Sequence, residues 1–227
     1  MADAILFDLD GTLVDSAGDL TDAVNALLAR AGLPPHPEAA VRRMIGHGIA
    51  KLVERAFAAH GADLTARGLQ DRTAAMMAIY GAALTRRTTT IPAARETLAV
   101  LAADGHGIAV VTNKPTGFAH TILGDLGLTP FVQVVMGGDS DLPRKPAPDM
   151  LLAACAALGA SSDTTWMVGD SAADLQAARA AGMRCILVRG GYTDTPVDAL
   201  GADRVLDSLG ELPDAMRWPT SPSRRRT

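Results

Sequence analysis

Short apolar segments alternate with helix-like segments along most of this chain, and this alternation restricts the fold more than any other feature. The apolar, strand-like segments are 4–7, 108–112, 133–136, 165–168 and 184–188, with a weaker one at 204–206. The helical segments are 93–104, 118–126, 148–158 and 172–181. A glycine, the usual stop at a helix C-terminus, directly follows each helical segment. Strand and helix alternating at this spacing predict an α/β fold with a Rossmann-like parallel sheet covered on both faces.

Residues 16–85 interrupt this alternation, because they show helical periodicity and no convincing strand. Ser16 and Asp19 have the spacing of a helix-capping box, and an apolar stripe follows them up to Gly32. We therefore predict an inserted α-helical cap at 16–85, an α/β core formed by 1–15 and 86–215, and a disordered tail at 216–227. The insertion either acts as a lid over a site near its two linkers or only adds stability.

Composition restricts the partners of the protein. Hydrophobic residues make up 48% of the 227 residues, enough for a substantial core, and the formal net charge of -4 argues against nucleic acid as the principal partner. The two cysteines, Cys155 and Cys185, stand in no paired motif and predict no disulfide. Acidic residues near the start and the lack of a long apolar run argue against a signal peptide or membrane span. We expect a cytoplasmic protein without a membrane partner.

The first strand ends at a pair of carboxylates, Asp8 and Asp10. Residues two apart in a strand point to the same face, so the two side chains would lie together and repel each other. A hard divalent cation such as Mg²⁺ relieves such repulsion and also recruits phosphate oxygens. The pair of carboxylates therefore predicts phosphoryl chemistry. Gly11 eases the tight turn by which the chain leaves the strand.

Polar residues also follow the other strands, where parallel sheets bind their ligands. These groups are Thr112-Asn113-Lys114, Arg144-Lys145-Pro146, and Gly169-Asp170-Ser171 with Asp174 one helical turn further on. Each group alone is common in a turn, at a helix cap or on a solvated surface. Their order along the predicted sheet is far more specific than any one of them.

Taken together, these residues resemble the four motifs of the haloacid dehalogenase-like (HAD) superfamily, including a helical cap inserted after the first motif. The resemblance implies that Asp8 attacks phosphorus to form an aspartyl-phosphate, while Asp10 serves first as acid and then as base. It implies that Thr112 and the Asn113 amide hold phosphate oxygens and that Lys145 neutralises the developing charge.

The resemblance also implies a Mg²⁺ site. Its ligands would be a side-chain oxygen of Asp8, the backbone carbonyl of Asp10 and the side chain of Asp170. Asp174 would help without touching the ion or through a water, although such a residue is also common as plain helix-surface charge.

Further features are similar to the phosphoglycolate phosphatase branch of this superfamily. They are Val111-Thr112-Asn113-Lys114-Pro115, Arg144-Lys145-Pro146-Ala147-Pro148 and Gly190-Gly191-Tyr192. The segment Gly46-His47-Gly48 resembles the substrate-binding loop of the branch, and Arg43 or Lys51 is a candidate for meeting a substrate carboxylate. Gly18 stands where proline is common, and Ala172-Ala173 replaces a frequent Arg-Asn.

These features predict a phosphatase for 2-phosphoglycolate, a small phosphorylated substrate, working as a monomer or homodimer. Two alternatives stay open. One is a related phosphatase for a sugar phosphate, nucleotide or pyrophosphate. The other is a phosphorylatable signalling module, against which the large cap and Asp10 argue.

Overall fold

A computed structural model describes residues 4–193 and 195–217 of the chain. Its strands are β1 (Ala4–Phe7), β2 (Val14–Asp15), β3 (Thr89–Thr90), β4 (Gly107–Val111), β5 (Val134–Met136), β6 (Trp166–Gly169), β7 (Arg184–Val188) and β8 (Arg204–Leu206). Its helices are α1 (Ala17–Arg30), α2 (Glu38–Arg42), α3 (Ile49–Ala58), α4 (Ala66–Gly81), α5 (Ala94–Ala103), α6 (Thr116–Asp125), α7 (Asp149–Leu158), α8 (Ala172–Ala180) and α9 (Leu212–Arg217).

Six of the described strands form a parallel sheet in the spatial order β5-β4-β1-β6-β7-β8. The central strand β1 pairs with β4 on one side and β6 on the other, so that Ile5 lies opposite both Ile108 and Trp166. All four residues of β1 are buried. Continuous apolar strands of this kind are expected where helices cover both faces of a parallel sheet, and the predicted α/β fold is confirmed.

Alternate residues of β1 enter separate cores on the two faces of the sheet. Leu6 packs in a cluster with buried residues of α7 and α8, including Met150 and Ala178. Ile5 and Phe7 belong to the other cluster, to which α5, α6 and α9 contribute. The sheet therefore holds the strand ends in fixed positions between two apolar layers, which gives a functional site there a rigid base.

Helices α1 to α4, called the inserted helices below, lie between β2 and β3 in the chain. They pack on one another around buried apolar side chains such as Leu28, Val53 and Phe57. β2 and β3 pair antiparallel, with Val14 opposite Thr90, so the chain leaves and re-enters the core at adjacent points. Both linkers thus lie next to the end of β1.

The prediction of a capping box at the start of α1 is wrong. The Ser16 side chain caps no helix N–H and instead donates to Asp10 Oδ1 at 2.5 Å. The Asp19 carboxylate accepts hydrogen bonds from the backbone N–H groups of Arg87 and Thr88, across the two linkers. Long-range partners have replaced the local ones that the spacing predicted.

At the other end of the chain, α9 continues through Arg217, two residues into the predicted tail. The rest of that tail, 218–227, lies outside the described residues. Within the described ranges, the helices are all too short or too polar to cross a bilayer.

Candidate active site

Asp8 lies at the tip of the central strand. Its N–H donates to the Val168 carbonyl at 2.9 Å and extends the pairing with β6 by one residue. Its carboxylate is buried, with Oδ1 accepting from the Leu9 N–H at 2.7 Å. The chain then turns at Gly11, whose φ is +84° and where a β-carbon would lie 2.5 Å from Asp170 Oδ2. Glycine is therefore required at this turn by both backbone conformation and space.

Lys145 reaches Asp8 from the loop before α7. Its Nζ lies 2.9 Å from Asp8 Oδ1 and 2.7 Å from Asp174 Oδ1, and the side chain is buried. Burial alone would lower the pKa of Lys145, but the carboxylates of Asp174 and Asp8 outweigh it and raise that pKa above its ordinary value. Lys145 is thus a fixed positive charge beside Asp8.

Asp170 comes from the loop after β6 and completes an acidic cluster with Asp8 and Asp174. Carboxylate oxygens of the three residues lie within 4.8 Å of one another, and all three side chains are buried. Burial is the largest cause that raises the pKa of Asp8 to about 6, with the Asp174 charge adding to it and Lys145 opposing it. Burial and then the charges of Asp174 and Asp8 raise the pKa of Asp170 well above its usual range.

The carboxylate of Asp174 accepts more protein hydrogen bonds than that of Asp8 or Asp170. Oδ1 accepts from Lys145, while Oδ2 accepts from the N–H and hydroxyl of Ser171 at 3.1 and 2.6 Å and from the Asp170 N–H at 3.3 Å. By contrast, the Asp170 oxygens each accept one protein hydrogen bond, from the Thr12 hydroxyl at 3.2 Å and the Tyr192 N–H at 2.5 Å. Asp8 and Asp170 therefore keep more capacity for a metal ion than Asp174 does.

The charges of the site fit a divalent cation. Four carboxylates, those of Asp8, Asp10, Asp170 and Asp174, face two ammonium groups in ion pairs within the described residues. When all four are ionised, this leaves an excess of two negative charges in a largely buried volume, where unpaired charge is costly. Hard carboxylate oxygens are also the ligands that Mg²⁺ prefers.

Thr112 and Asn113 follow β4 and lie beside this cluster. The Asn113 side-chain amide donates to the carbonyl oxygens of Gly46 and Lys145, both at 3.0 Å. Its Oδ1 is buried and has no hydrogen-bond partner among the described residues. In this conformation the side chain of Asn113 joins the strand end to the inserted helices, so its amide hydrogens are not free for a phosphate.

Lys114 also lies in the site, although the sequence motifs assigned it no role. Its buried Nζ lies 3.1 Å from Asp10 Oδ1 and donates to the Tyr80 hydroxyl of α4 at 2.7 Å. Burial would lower the pKa of Lys114, but Asp10 and Tyr80 outweigh it and raise that pKa. Asp10 is thus held by Lys114 on one side and by the Ser16 hydroxyl on the other.

A small cavity separates the strand ends from the inserted helices. Its lining is Asp8, Asp10, Leu20, Ile45, Gly46, Gly48, Ile49, Leu52, Thr112, Asn113 and Lys114. The structure therefore brings Gly46 and Gly48 of the predicted substrate loop to the same space as Asp8 and Asp10.

Other predicted substrate contacts lie elsewhere. His47 and Arg43 are exposed and line a neighbouring cleft with Arg55 and Tyr192. Lys51 forms a half-exposed ion pair with Glu54 at 2.7 Å. None of these three predicted residues lines the cavity beside Asp8.

Tyr192 connects the acidic cluster to the first linker. Besides the N–H that donates to Asp170, its hydroxyl accepts from the N–H groups of Ser16 and Ala17 at 2.8 and 3.0 Å and donates to Asp15 at 2.6 Å. The same residue thus braces Asp170 and fixes the start of α1.

The family of the chain follows from its match to known sequences. The model of the haloacid dehalogenase-like hydrolase family matches residues 5–188, a range that runs from β1 through β7 and contains every site residue described above except Tyr192. The chain belongs to this family. The sequence-based resemblance is therefore confirmed.

Similar proteins extend over nearly the full chain. A phosphoglycolate phosphatase of Rhodospirillum rubrum is 44% identical over 225 residues, which cover 96% of this chain and 92% of that protein. A phosphoglycolate phosphatase of Caulobacter vibrioides is 41% identical over 93% of this chain and 89% of its own length. The crystal structure of a predicted phosphoglycolate phosphatase from Haemophilus somnus has a TM-score of 0.88 at 32% identity, covering 94% of this chain and 97% of that one.

Proposed function

We propose that this haloacid dehalogenase-like hydrolase is a Mg²⁺-dependent phosphatase that converts 2-phosphoglycolate into glycolate and phosphate. The observation that carries the proposal is the buried Lys145, which bridges Asp8 and Asp174 beside Asp170 at the tip of the central strand. The names of the similar proteins support the substrate, and they agree with the phosphatase predicted from the sequence.

The metal would be held by the residues whose oxygens have capacity left. These are the Asp8 and Asp170 carboxylates and the backbone carbonyl of Asp10, with Asp174 holding Lys145 in place instead of binding the ion. When bound, Mg²⁺ would neutralise the charge of the carboxylates and polarise the phosphoryl group.

In the first step, Asp8 attacks phosphorus, a P–O bond to Asp8 forms, and the bond to the ester oxygen breaks. Asp10 donates a proton to the leaving oxygen, which departs as the hydroxyl of glycolate. Lys145 stays beside Asp8 and stabilises the negative charge that builds up on the transferred group. Loss of one such group typically lowers turnover about 10²-fold or more.

In the second step, water attacks the phosphorus of the aspartyl-phosphate. Asp10 now accepts a proton from that water, the bond between phosphorus and Asp8 breaks, and phosphate leaves. Thr112 and the backbone N–H of Asn113 would donate to the phosphoryl oxygens, because the Asn113 side chain is engaged with Gly46 and Lys145.

The proposal also includes a cap, which residues 16–85 form with the inserted helices. Asn113 and Lys114 contact them at Gly46 and Tyr80, so the cap closes the site from above through two hydrogen bonds. Water is thereby kept from the phosphoryl group until the leaving group departs. The proposal also includes a cytoplasmic location. It further includes a monomer or a homodimer, and light scattering would distinguish these two states.

Phosphate release tests the function directly. With saturating Mg²⁺, 2-phosphoglycolate should give the highest kcat/KM in a panel that includes a sugar phosphate, a nucleotide and pyrophosphate. A chelator should abolish turnover, and Asp8→Asn should be inactive with the far-UV circular dichroism of the parent.

The intermediate provides a second test. Asp10→Asn should slow the second step, so that a single phosphoryl group accumulates on the protein in an intact mass spectrum and is absent from Asp8→Asn. If the protein prefers another ester, that ester replaces 2-phosphoglycolate as the proposed substrate and the mechanism stands. Normal turnover by Asp8→Asn would refute the mechanism.

A further inference from the structure

We infer that Lys114 binds the carboxylate of the substrate and thereby selects phosphate esters whose leaving group carries a negative charge next to the ester oxygen. The inference rests on the proposed function and adds the residue that determines its specificity. It starts from the cavity lining, in which Lys114 is the only cationic side chain among the described residues.

The ammonium group of Lys114 has hydrogen-bonding capacity left for a ligand. Two of its three N–H groups are directed to Asp10 Oδ1 at 3.1 Å and to the Tyr80 hydroxyl at 2.7 Å. No third partner of Nζ occurs among the described residues, and the side chain is 4% exposed. The Tyr80 ring also lies close, with its centroid 4.6 Å from Nζ, which fixes the position of the charge.

The position of this charge matches the geometry of 2-phosphoglycolate. Asp10 must contact the ester oxygen to protonate it, and Lys114 lies within hydrogen-bond distance of Asp10. Only one methylene separates the ester oxygen from the carboxylate in this substrate. A cation beside Asp10 is therefore within reach of the carboxylate, whereas Lys145, beside Asp8, is placed for the phosphoryl group.

The other walls of the cavity strengthen this selectivity. Leu20, Ile45, Ile49 and Leu52 of the inserted helices and their connecting loop are buried and apolar. They offer no hydrogen-bond partners to the hydroxyl groups of a sugar phosphate, which would be left unpaired. They also exclude water, so the attraction between Lys114 and a carboxylate is weakly screened.

Competing cations are less well placed. Lys51 is paired with Glu54 outside the cavity, and Arg43 lines the neighbouring cleft. Arg144 donates from Nε to the Gly138 carbonyl, and its guanidinium reaches the outer side of Gly48 without lining the cavity.

The test compares two substrates that differ only in the carboxylate. kcat/KM is measured with Mg²⁺ for 2-phosphoglycolate and for ethyl phosphate, in which a methyl group replaces the carboxylate. The wild type should prefer 2-phosphoglycolate. Lys114→Met should lower the ratio of kcat/KM for 2-phosphoglycolate to that for ethyl phosphate at least tenfold, because the substrate carboxylate has lost its cationic partner. Lys114→Gln keeps N–H donors toward Asp10 and Tyr80 but lacks the charge, so it should fold well and lower the ratio likewise.

Lys51→Met is the matched control and should keep the wild-type ratio. If Lys114 only positions Asp10, both substrates slow equally, and a ratio that falls less than tenfold overturns the inference. Where turnover is too slow to measure, the ratio of dissociation constants in the Asp8→Asn background decides in the same way. A wild type that hydrolyses 2-phosphoglycolate without preferring it to ethyl phosphate refutes the inference alone. A wild type that does not hydrolyse 2-phosphoglycolate refutes the proposed function itself.

Discussion

Asp19 offers a sharp test of how the two linkers are held together. Its side chain is only 3% exposed, although it carries a charge. It accepts from the Arg87 N–H with both oxygens at 3.0 Å, and from the N–H and hydroxyl of Thr88 at 2.8 and 2.7 Å. Asp19→Ala removes all of these acceptors at once.

The expected loss follows from the groups left behind. The Thr88 hydroxyl keeps a second acceptor, the Leu84 carbonyl at 2.9 Å, but the N–H groups of Arg87 and Thr88 lose theirs. A buried donor without a partner costs about 1–3 kcal/mol, and the Thr88 N–H is buried whereas that of Arg87 is partly buried, so Asp19→Ala should lower the free energy of unfolding by about 3 kcal/mol. For a chain of this size, that corresponds to a fall in Tm on the order of 10 °C.

Urea unfolding measures this loss, and hydrogen exchange locates it at the Arg87 and Thr88 amides. Asp22→Ala is the matched control, because Asp22 pairs with the Arg87 side chain at 3.0 Å but is 62% exposed. An exposed pair is worth less than about 1 kcal/mol. A loss below 1 kcal/mol in Asp19→Ala, or unchanged protection of the two amides, would refute the reasoning.

Three further outcomes follow from the site. Burial raises the pKa of Asp8 from its ordinary value of 3.8 to about 6, so the metal-free native state binds a proton more readily than the unfolded chain. The free energy of unfolding, measured relative to Asp8→Asn, should therefore rise as pH falls from 6 towards 3.8. Burial raises the pKa of the Cys155 and Cys185 thiols, so neither should react with a thiol reagent until the protein unfolds. In Gly191→Ala the new β-carbon would lie 2.1 Å from Asp170 Oδ2, and Mg²⁺-dependent turnover should fall about 10²-fold.

Each of these outcomes has its own control. In urea titrations, saturating Mg²⁺ should abolish the rise in stability at low pH. Stability that does not change with pH in the absence of metal would contradict the first outcome. Thiol labelling in urea should give two equivalents, whereas labelling of the folded protein would show that the thiols are accessible. Gly117→Ala, where a β-carbon meets nothing within 4 Å, should keep full activity, and equal activity in Gly191→Ala would show that Asp170 can move aside.

The strand tips could be predicted because a parallel sheet fixes where its strands end. Apolar runs placed Asp8, Thr112 and Asp170 at one edge of the sheet, and the structure brings them together there. Lys145 lies in a loop, and only the motif resemblance pointed to its contact with Asp8. Local pattern and topology together were thus sufficient for the base of the site.

The contacts between the linkers, the inserted helices and the strand tips could not be predicted in this way. Ser16 and Asp19 fit a local capping box, yet Asp10 and Thr88 compete successfully for their side chains. Lys114 stands in a polar group at the end of a predicted strand, but no sequence pattern pairs it with Tyr80 of α4. Such pairs depend on how separate elements pack, which no periodicity records.

The central place of β1 has a consequence for synthesis of the chain. Ile5 is translated early, but its neighbours Ile108 and Trp166 leave the ribosome much later. Pairings of such large sequence separation form slowly, and until β6 arrives one edge of β1 is open to other strands. A nascent chain interrupted before Trp166 therefore exposes an unpaired strand edge, and hydrolysis begins only after Asp170 and Asp174 have also been translated.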